Sequence, residues 1–323
     1  MTKYKILAFL EKEKNHVISG TEIAQKMGVS RNAVWKAIHA LKQEGYSIVS
    51  IKNGGYCYSP DQKADILSAY EIGRRLQPPS LGKQIKVVSV LNSTNTEMKR
   101  LAPEQKDGFV LVSERQTGGR GTMRRTFLSD YPEGAYFSLL KKPELLYAQQ
   151  LPLLTVAASL AVAECLEEDF GIQADVKWPN DIYAEGKKIC GILTEASVEQ
   201  ESGTVEWVIV GIGVNVHQKR FPEELSDKAI SIKMLTGADG CRAAVIAGIL
   251  NRFADCYAEE TETVAMLERY RKRLAFLGTK KRIRSNGTVY EGILRGINPA
   301  GRLLLELPDQ SVVTIASGKL EDI

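Results

Sequence analysis

Ten consecutive positions, QTGGRGTMRR (116–125), hold three glycines and three arginines. Gly118, Gly119 and Gly121 let backbone amides approach a ligand closely, and Arg120, Arg124 and Arg125 are permanent cations, a combination suited to carboxylate and phosphate oxygens. The loop matches neither GxxxxGK nor GxGxxG, and a solvated surface loop is the plain alternative. KWPND (177–181) sets Lys177 beside an aromatic ring, a rigid Pro179 and two polar side chains, Asn180 and Asp181. A lysine at a strand end can bridge a carboxylate and a phosphate while charge moves between them; the alternative is a turn built by Pro179 and Asn180. The hairpin that follows returns Lys187 and Lys188 alongside.

Two neutral stretches complete the set. Asn92, Ser93, Thr94 and Asn95 follow an apolar run and offer donors and acceptors to an uncharged polar ligand, although Ser93 or Thr94 could equally cap a helix. GIGVNV (211–216) carries glycines inside an apolar strand, a sign of a bulge or a close approach, and ends near the polar Asn215. The chain has neither GxSxG nor HExxH. Its three histidines (16, 39 and 217) are scattered, and its five cysteines (57, 165, 190, 241 and 256) form no CxxC pair, against both a disulfide framework and a structural zinc site. Cations, glycines and neutral hydrogen-bonding groups without a nucleophile fit activation of a carboxylate by a nucleotide, where positioning and electrostatics carry the catalysis.

Alternating and continuous apolar runs predict the scaffold: strands at 86–91, 108–114, 135–140, 174–178, 182–196 and 205–216, and helices at 151–170 and 241–260. Strands and helices therefore mix around one sizeable sheet. Before it, residues 61–82 hold Pro78, Pro79 and Gly82 around ILSAYEIGRRL, which reads as a short helix inside a linker. After it, 277–323 reads as five short strands separated by turns.

The first sixty residues differ in kind. Nine Lys or Arg stand against four acids there, an excess of five, whereas the whole chain carries only +4. Basic charge confined to one segment points to a local polyanion-binding face. SGTE (19–22) is a capping box, Gly28 can close a short helix, and Ser30 caps a second one. On that second helix Val34, Ala37, Ile38 and Leu41 share one arc, while Arg31, Asn32, Trp35, Lys36 and His39 share the other. A hairpin around Asn53-Gly54, carrying Lys52, supplies a wing. These features together predict a winged helix-turn-helix with Ser30, Arg31, Asn32, Trp35, Lys36, His39 and Lys52 at DNA, against the plainer reading of a small helical domain with a solvated charged face.

A length of 323 residues allows two or three domains, and 44% hydrophobic with 25% charged residues is ordinary globular composition. No apolar run looks close to the ~18 residues of a membrane span, and the N-terminal stretch lacks a secretory cleavage pattern. A cytoplasmic protein without membrane contact is the expectation.

STN (93–95), QTxGRG (116–121), KWPND (177–181), KxxGIL with a following Glu (188–195) and GIGxN (211–215), in this order behind a winged helix, resemble the bifunctional bacterial biotin protein ligase and biotin operon repressor family. The resemblance spans nearly the whole chain; KWPND with GRG is its specific part. It implies a multidomain α+β protein: a winged helix-turn-helix over 1–60, a linker over 61–82, a mixed-sheet ligase domain of class II synthetase type over 83–275, and an SH3-like barrel over 276–323. It implies biotin contacts from Ser93, Thr94, Asn95, Gln116, Arg120, Gly121, Thr122 and Lys177, and nucleotide contacts from Arg120, Arg125, Phe127, Lys177, Asn180, Lys188 and Asn215. Lys177 and Arg120 would be catalytic, with biotin and ATP as substrates and Mg²⁺ as cofactor, Asp181 being one conceivable metal contact beside a purely orienting role. A carboxyl carrier domain of a biotin-dependent carboxylase, operator DNA and a liganded homodimer are the implied partners.

The family loop usually reads GRGR with a Trp further on; here Thr122 replaces the second Arg and Phe127 the Trp. Loss of that Arg predicts leakage of biotinyl-AMP, unless Arg124 reaches the same place, and Phe127 offers less stacking area to adenine. A ligand-sensing transcription factor with an inactive ligase domain, and a lipoate-type ligase, are the competing readings; the polar Ser93, Thr94 and Gln116 suit a ureido ring better than a dithiolane.

Overall fold

The computed structural model describes residues 2–60, 64–77, 81–122, 125–256 and 260–321, the side chains of 260–262 excepted. The chain forms two compact units, Met1–Glu71 and Ile72–Ile323.

In the first unit α1 (Thr2–Lys12), α2 (Gly20–Met27) and α3 (Arg31–Gln43) pack over a small antiparallel sheet of β1 (Val17–Ile18), β3 (Gly55–Tyr58) and β2 (Ile48–Ile51). Ser19 Oγ accepts from Glu22 N at 3.1 Å and Ser30 Oγ from Ala33 N at 3.2 Å, satisfying first-turn amides that no helical carbonyl reaches. Gly28 ends α2 at φ 64°, a left-handed conformation cheap only for glycine. The apolar arc of α3 is buried with Ile6, Leu7 and Leu10 of α1, a helix that the sequence reading did not include. The unit also runs past residue 60. Ile66 and Tyr70 pack on its core, Tyr4 and Tyr70 stack at 4.4 Å, and Tyr46 donates to the buried Glu71 carboxylate at 3.0 Å. The stretch read as linker thus begins as part of the first unit, with α4 (Ala69–Gly73) at its end.

The second unit is built on a seven-stranded sheet in the order β4-β5-β6-β10-β9-β8-β7. Its strands are β4 (Gln84–Leu91), β5 (Phe109–Gln116), β6 (Gly134–Lys141), β7 (Asp175–Lys177), β8 (Asp181–Ala184), β9 (Lys187–Val198) and β10 (Val205–Asn215). Only β4 and β5 run parallel; the other pairings are antiparallel. α5 (Thr94–Leu101), α6 (Leu151–Phe170), α7 (Ile232–Thr236), α8 (Arg242–Cys256) and α9 (Glu260–Lys272) join them. β6 lies centrally and buries every residue but its last, as its continuous apolar run requires.

α6 corrects one expectation. It is long and apolar enough, by length and composition, to cross a membrane, but 67% of its apolar window is buried against the protein. Its apolar residues run all round because it packs between the sheet, α8 and α9 rather than showing one face to water. The chain then ends in a five-stranded antiparallel sheet, β14 (Val312–Ile315), β13 (Leu303–Glu306), β12 (Thr288–Ile297), β11 (Lys280–Ser285) and β15 (Lys319–Glu321), in that spatial order.

Candidate functional site

A pocket of about 100 Å³ opens where β5 gives way to the glycine loop, walled by the start of α5 and by β9 and β10. One end is neutral and buried. Gln116, at the end of β5, accepts at Oε1 from the backbone N of Thr94 at 2.8 Å and from its hydroxyl at 3.1 Å, and donates from Nε2 to Ser129 Oγ at 3.2 Å. Ser138 Oγ, on β6, lies 2.8 Å from Thr94 Oγ1 and 2.6 Å from Asn95 Oδ1. Asn95 Nδ2 donates to Leu193 O and to Glu195, which is paired with Lys99 at 2.6 Å. Ser93 caps α5, its Oγ accepting from Thr96 N, while also lining the pocket. The capping reading of this stretch holds at Ser93, and Ser93, Thr94 and Asn95 also line the pocket. Such a network is pre-paid order, because each buried amide and hydroxyl keeps a partner and cannot reorient without losing one.

Ser129, Ser138 and Lys99 are not singled out by the sequence, whereas Glu195 is the Glu that follows KxxGIL. Ser138 left a trace there: it is the one polar side chain in the apolar run AYFSLL.

The glycines of GIGVNV make room for side chains. A Cβ at Gly211 would collide with Asn95 Oδ1, and one at Gly213 would come within 2.6 Å of the Phe127 ring. A Cβ at Gly191 would meet both Lys188 Nζ and Phe127, at 3.1 and 3.2 Å. The ring so seated meets Tyr136 edge-on at 6.4 Å between centroids. In the loop, a Cβ at Gly118 would sit 2.5 Å from Asn92 Nδ2, and one at Gly119 would strike Ser129 Oγ. Backbone bonds from Gly121 N to Arg125 O at 2.8 Å and from Phe127 N to Gly119 O at 3.0 Å fold the loop back on itself. Arg124 lies outside the described residues.

The other end of the pocket is charged. Lys188 reaches in from β9, its Nζ 2.6 Å from Asp181 Oδ1 and 5.9 Å from the Phe127 centroid, where the ring face favours a cation. Arg120 and Arg125 line it from the exposed side with Gly121 and Thr122. Asn180 is buried and donates to Ile192 O at 2.6 Å, tying the KWPND turn to β9.

Two expected residues are not gathered here. Lys177 ends the edge strand β7, and its ammonium stands over the rings of Tyr183 at 5.3 Å and Phe276 at 5.8 Å, away from the pocket lining. Asn215 is buried, its amide spent on Ile230 O at 3.0 Å and Lys188 O at 3.4 Å, so that it fixes the strand carrying Lys188. Among the described residues no group of three His, Cys, Asp or Glu could hold a metal. Cys165 and Cys190 are buried, and burial pushes both thiols well above the ordinary range.

In the first unit Arg31, Asn32, Lys36 and His39 are exposed on one face of α3, with Trp35 56% exposed and 5.5 Å from the His39 ring. Ser30 is exposed at the cap and Lys52 at the hairpin tip.

A winged helix followed by a ligand pocket on a mixed sheet and a small β domain defines a class, a DNA-binding module joined to a small-molecule ligase body. Sequence profiles agree: an HTH domain matches residues 2–57, the Biotin/lipoate A/B protein ligase family 87–215, and the Biotin protein ligase C terminal domain 282–319. The bifunctional ligase/repressor BirA of Bacillus subtilis is 38% identical over 95% of this chain and 94% of its own length. The Escherichia coli protein of the same name is 28% identical over 94% and 91%. The biotin protein ligase from Aquifex aeolicus, solved in complex with biotin and ATP, superposes at a TM-score of 0.63 with 30% identity, over 74% of this chain and 98% of that one. The chain belongs to the biotin protein ligase family.

Proposed function

We propose that this protein condenses biotin with ATP to biotinyl-AMP, transfers the biotinyl group to a lysine of a biotin carboxyl carrier domain, and represses biotin genes as a dimer on operator DNA with biotinyl-AMP as corepressor. The carrying observation is one pocket with a buried neutral network at one end and Lys188, Arg120 and Arg125 at the other. Biotin needs that polarity: a ureido group with one carbonyl and two N–H groups, an apolar middle, and a carboxylate tail.

In this reading Ser93, Thr94, Asn95 and Gln116 hold the ureido ring, and Phe127 with Gly121 and Thr122 flanks the tail. A carboxylate oxygen attacks the α-phosphorus of ATP and pyrophosphate leaves with the bridging electron pair. Charge grows on the phosphoryl oxygens, and Lys188, turning from Asp181, offsets it with Arg120. Lys188 takes over the bridging role expected of Lys177, because it alone of the two lines the pocket. Arg125, Phe127 and Asn180 face the nucleotide, while Asn215 positions Lys188 through its backbone. Magnesium would neutralise the triphosphate. Asp181, the one carboxylate among the described lining residues, suits an ion held mainly by phosphates and water. We assign 83–275 to the ligase domain and 276–323 to the C-terminal domain, with the DNA-binding module ahead of them.

Streptavidin probing of an unbiotinylated carrier domain after incubation with the protein, biotin, ATP and Mg²⁺ tests the enzyme half. A labelled carrier is expected; an unlabelled one would leave only a ligand-sensing transcription factor. For the repressor half, a mobility shift on operator DNA should require biotin and ATP together, and a shift indifferent to them would contradict the corepressor role.

A further inference from the structure

A second cavity, of about 310 Å³, lies between the first turn of α6, β9 and the C-terminal β domain. It shares Thr122, Asn180 and Ile192 with the ligand pocket, so the two chambers meet beside the charged end of that pocket. Its wall is apolar, from Leu151, Val156, Trp178, Pro179 and Ala196, and no charged side chain lines it among the described residues. The polar groups are neutral, including Thr155 and Thr194, whose hydroxyls lie 2.8 Å apart. Trp178 Nε1 donates to Gly301 O at 3.4 Å, and Gly301, at φ 74°, sets its turn so close to α6 that a Cβ would meet Val156 at 3.2 Å. Ala148 and the exposed Ala316 and Ser317 form the outer rim.

We infer that this chamber admits the acceptor lysine side chain of the carrier protein, an inference that rests on the ligase reading above. The second half-reaction needs a neutral amine, whereas a lysine in water holds its proton to about pH 10. An apolar chamber without a carboxylate desolvates an ammonium and lowers its pKa, and the positive end of α6 at its wall works in the same direction. A flexible four-carbon stem fits between the apolar walls and brings its nitrogen to the Thr122–Asn180 junction. The amine lone pair attacks the acyl carbon, a C–N bond forms, the acyl C–O bond to phosphate breaks, and AMP leaves with that electron pair; the nitrogen gives up one proton to water. A triphosphate is a poor occupant, since no cation lines the chamber to meet it.

Two variants of the full chain test this, Ala316→Trp at the rim and Ala148→Glu beside it. Three readouts are needed: biotin-dependent ATP–pyrophosphate exchange, consumption of the adenylate by hydroxylamine, and transfer to the carrier domain. With Ala316→Trp, carrier transfer should fall about tenfold or more while exchange and the reaction of the much smaller hydroxylamine stay within about twofold. With Ala148→Glu, the added carboxylate should stabilise an ammonium and move the pH profile of transfer upward by about one unit, exchange being unchanged. Loss of exchange together with transfer in either variant would give the chamber to the nucleotide and overturn the inference, as would carrier transfer unaffected in both. No exchange in the unaltered protein would sink the ligase reading itself, and the chamber's role with it.

Discussion

The exposed face of α3 and the pocket at the end of β5 both present cations, and they are built in opposite ways. On α3 the cations stand in water on a smooth helix, with Trp35 and His39 between them and an apolar arc underneath that only holds the helix in place. In the pocket, Gln116, Thr94, Asn95 and Ser138 are buried and mutually bonded, and Lys188 is already paired. A long polyanion can be met by solvated charge, which costs little to keep ready and is sensitive to salt. A small ligand with one polar head has to be met by groups whose order is settled before it arrives.

On the pocket side, the largest effect on biotin binding is expected from Gln116→Leu. Thr94 loses the acceptor of both its N–H and its hydroxyl, and Ser129 a donor, so calorimetry should show biotin bound roughly 10- to 100-fold more weakly, at about 1–3 kcal/mol for an orphaned buried group. On the α3 side, replacing Arg31 and Lys36 together by Ala should weaken operator binding and flatten the log–log salt dependence by about two charges, with carrier labelling intact. A salt slope that stayed the same would mean α3 is not the reading helix.

How far these two regions were legible in the sequence follows from the same contrast. The winged helix was readable because caps, turn glycine and helical faces are local: Ser19, Gly28 and Ser30 act within a few residues of themselves. In the pocket the types were readable and the meetings were not. Lys177 and Lys188 look equivalent as sequence, and only the folded chain separates them, with Lys188 beside Asp181 in the pocket lining and Lys177 over the rings of Tyr183 and Phe276. The glycines of GIGVNV signalled a close approach, but the approaching groups, Asn95 and Phe127, come from far away along the chain. Residues 64–71 read as linker because Pro and Gly surround them, while their packing depends on Tyr4 and Tyr46. α6 looked short of a span because its acids cluster at one end.

Smaller effects sharpen the comparison. Thr122 puts an uncharged side chain at the loop position where the family usually has arginine, so biotinyl-AMP should escape a few times more readily from this protein than from its Thr122→Arg variant. Labelling of an unrelated protein at the carrier's concentration reads this out; if only the carrier is ever modified, the leak does not occur. The thiols give the smallest signal. Iodoacetamide at neutral pH should modify Cys57 and Cys241, both partly exposed, well before Cys165, Cys190 or Cys256, the last pushed up to about 11 by burial. Early modification of Cys190 would mean that β9 opens in solution.

In the proposed reaction Lys188, and not Lys177, is the cation at the reacting centre. Biotin-dependent ATP–pyrophosphate exchange measured side by side in Lys188→Ala and Lys177→Ala tests it most directly. A loss of about 10²–10³-fold is expected for Lys188→Ala and a change within a few-fold for Lys177→Ala; the reverse order would return the role to Lys177.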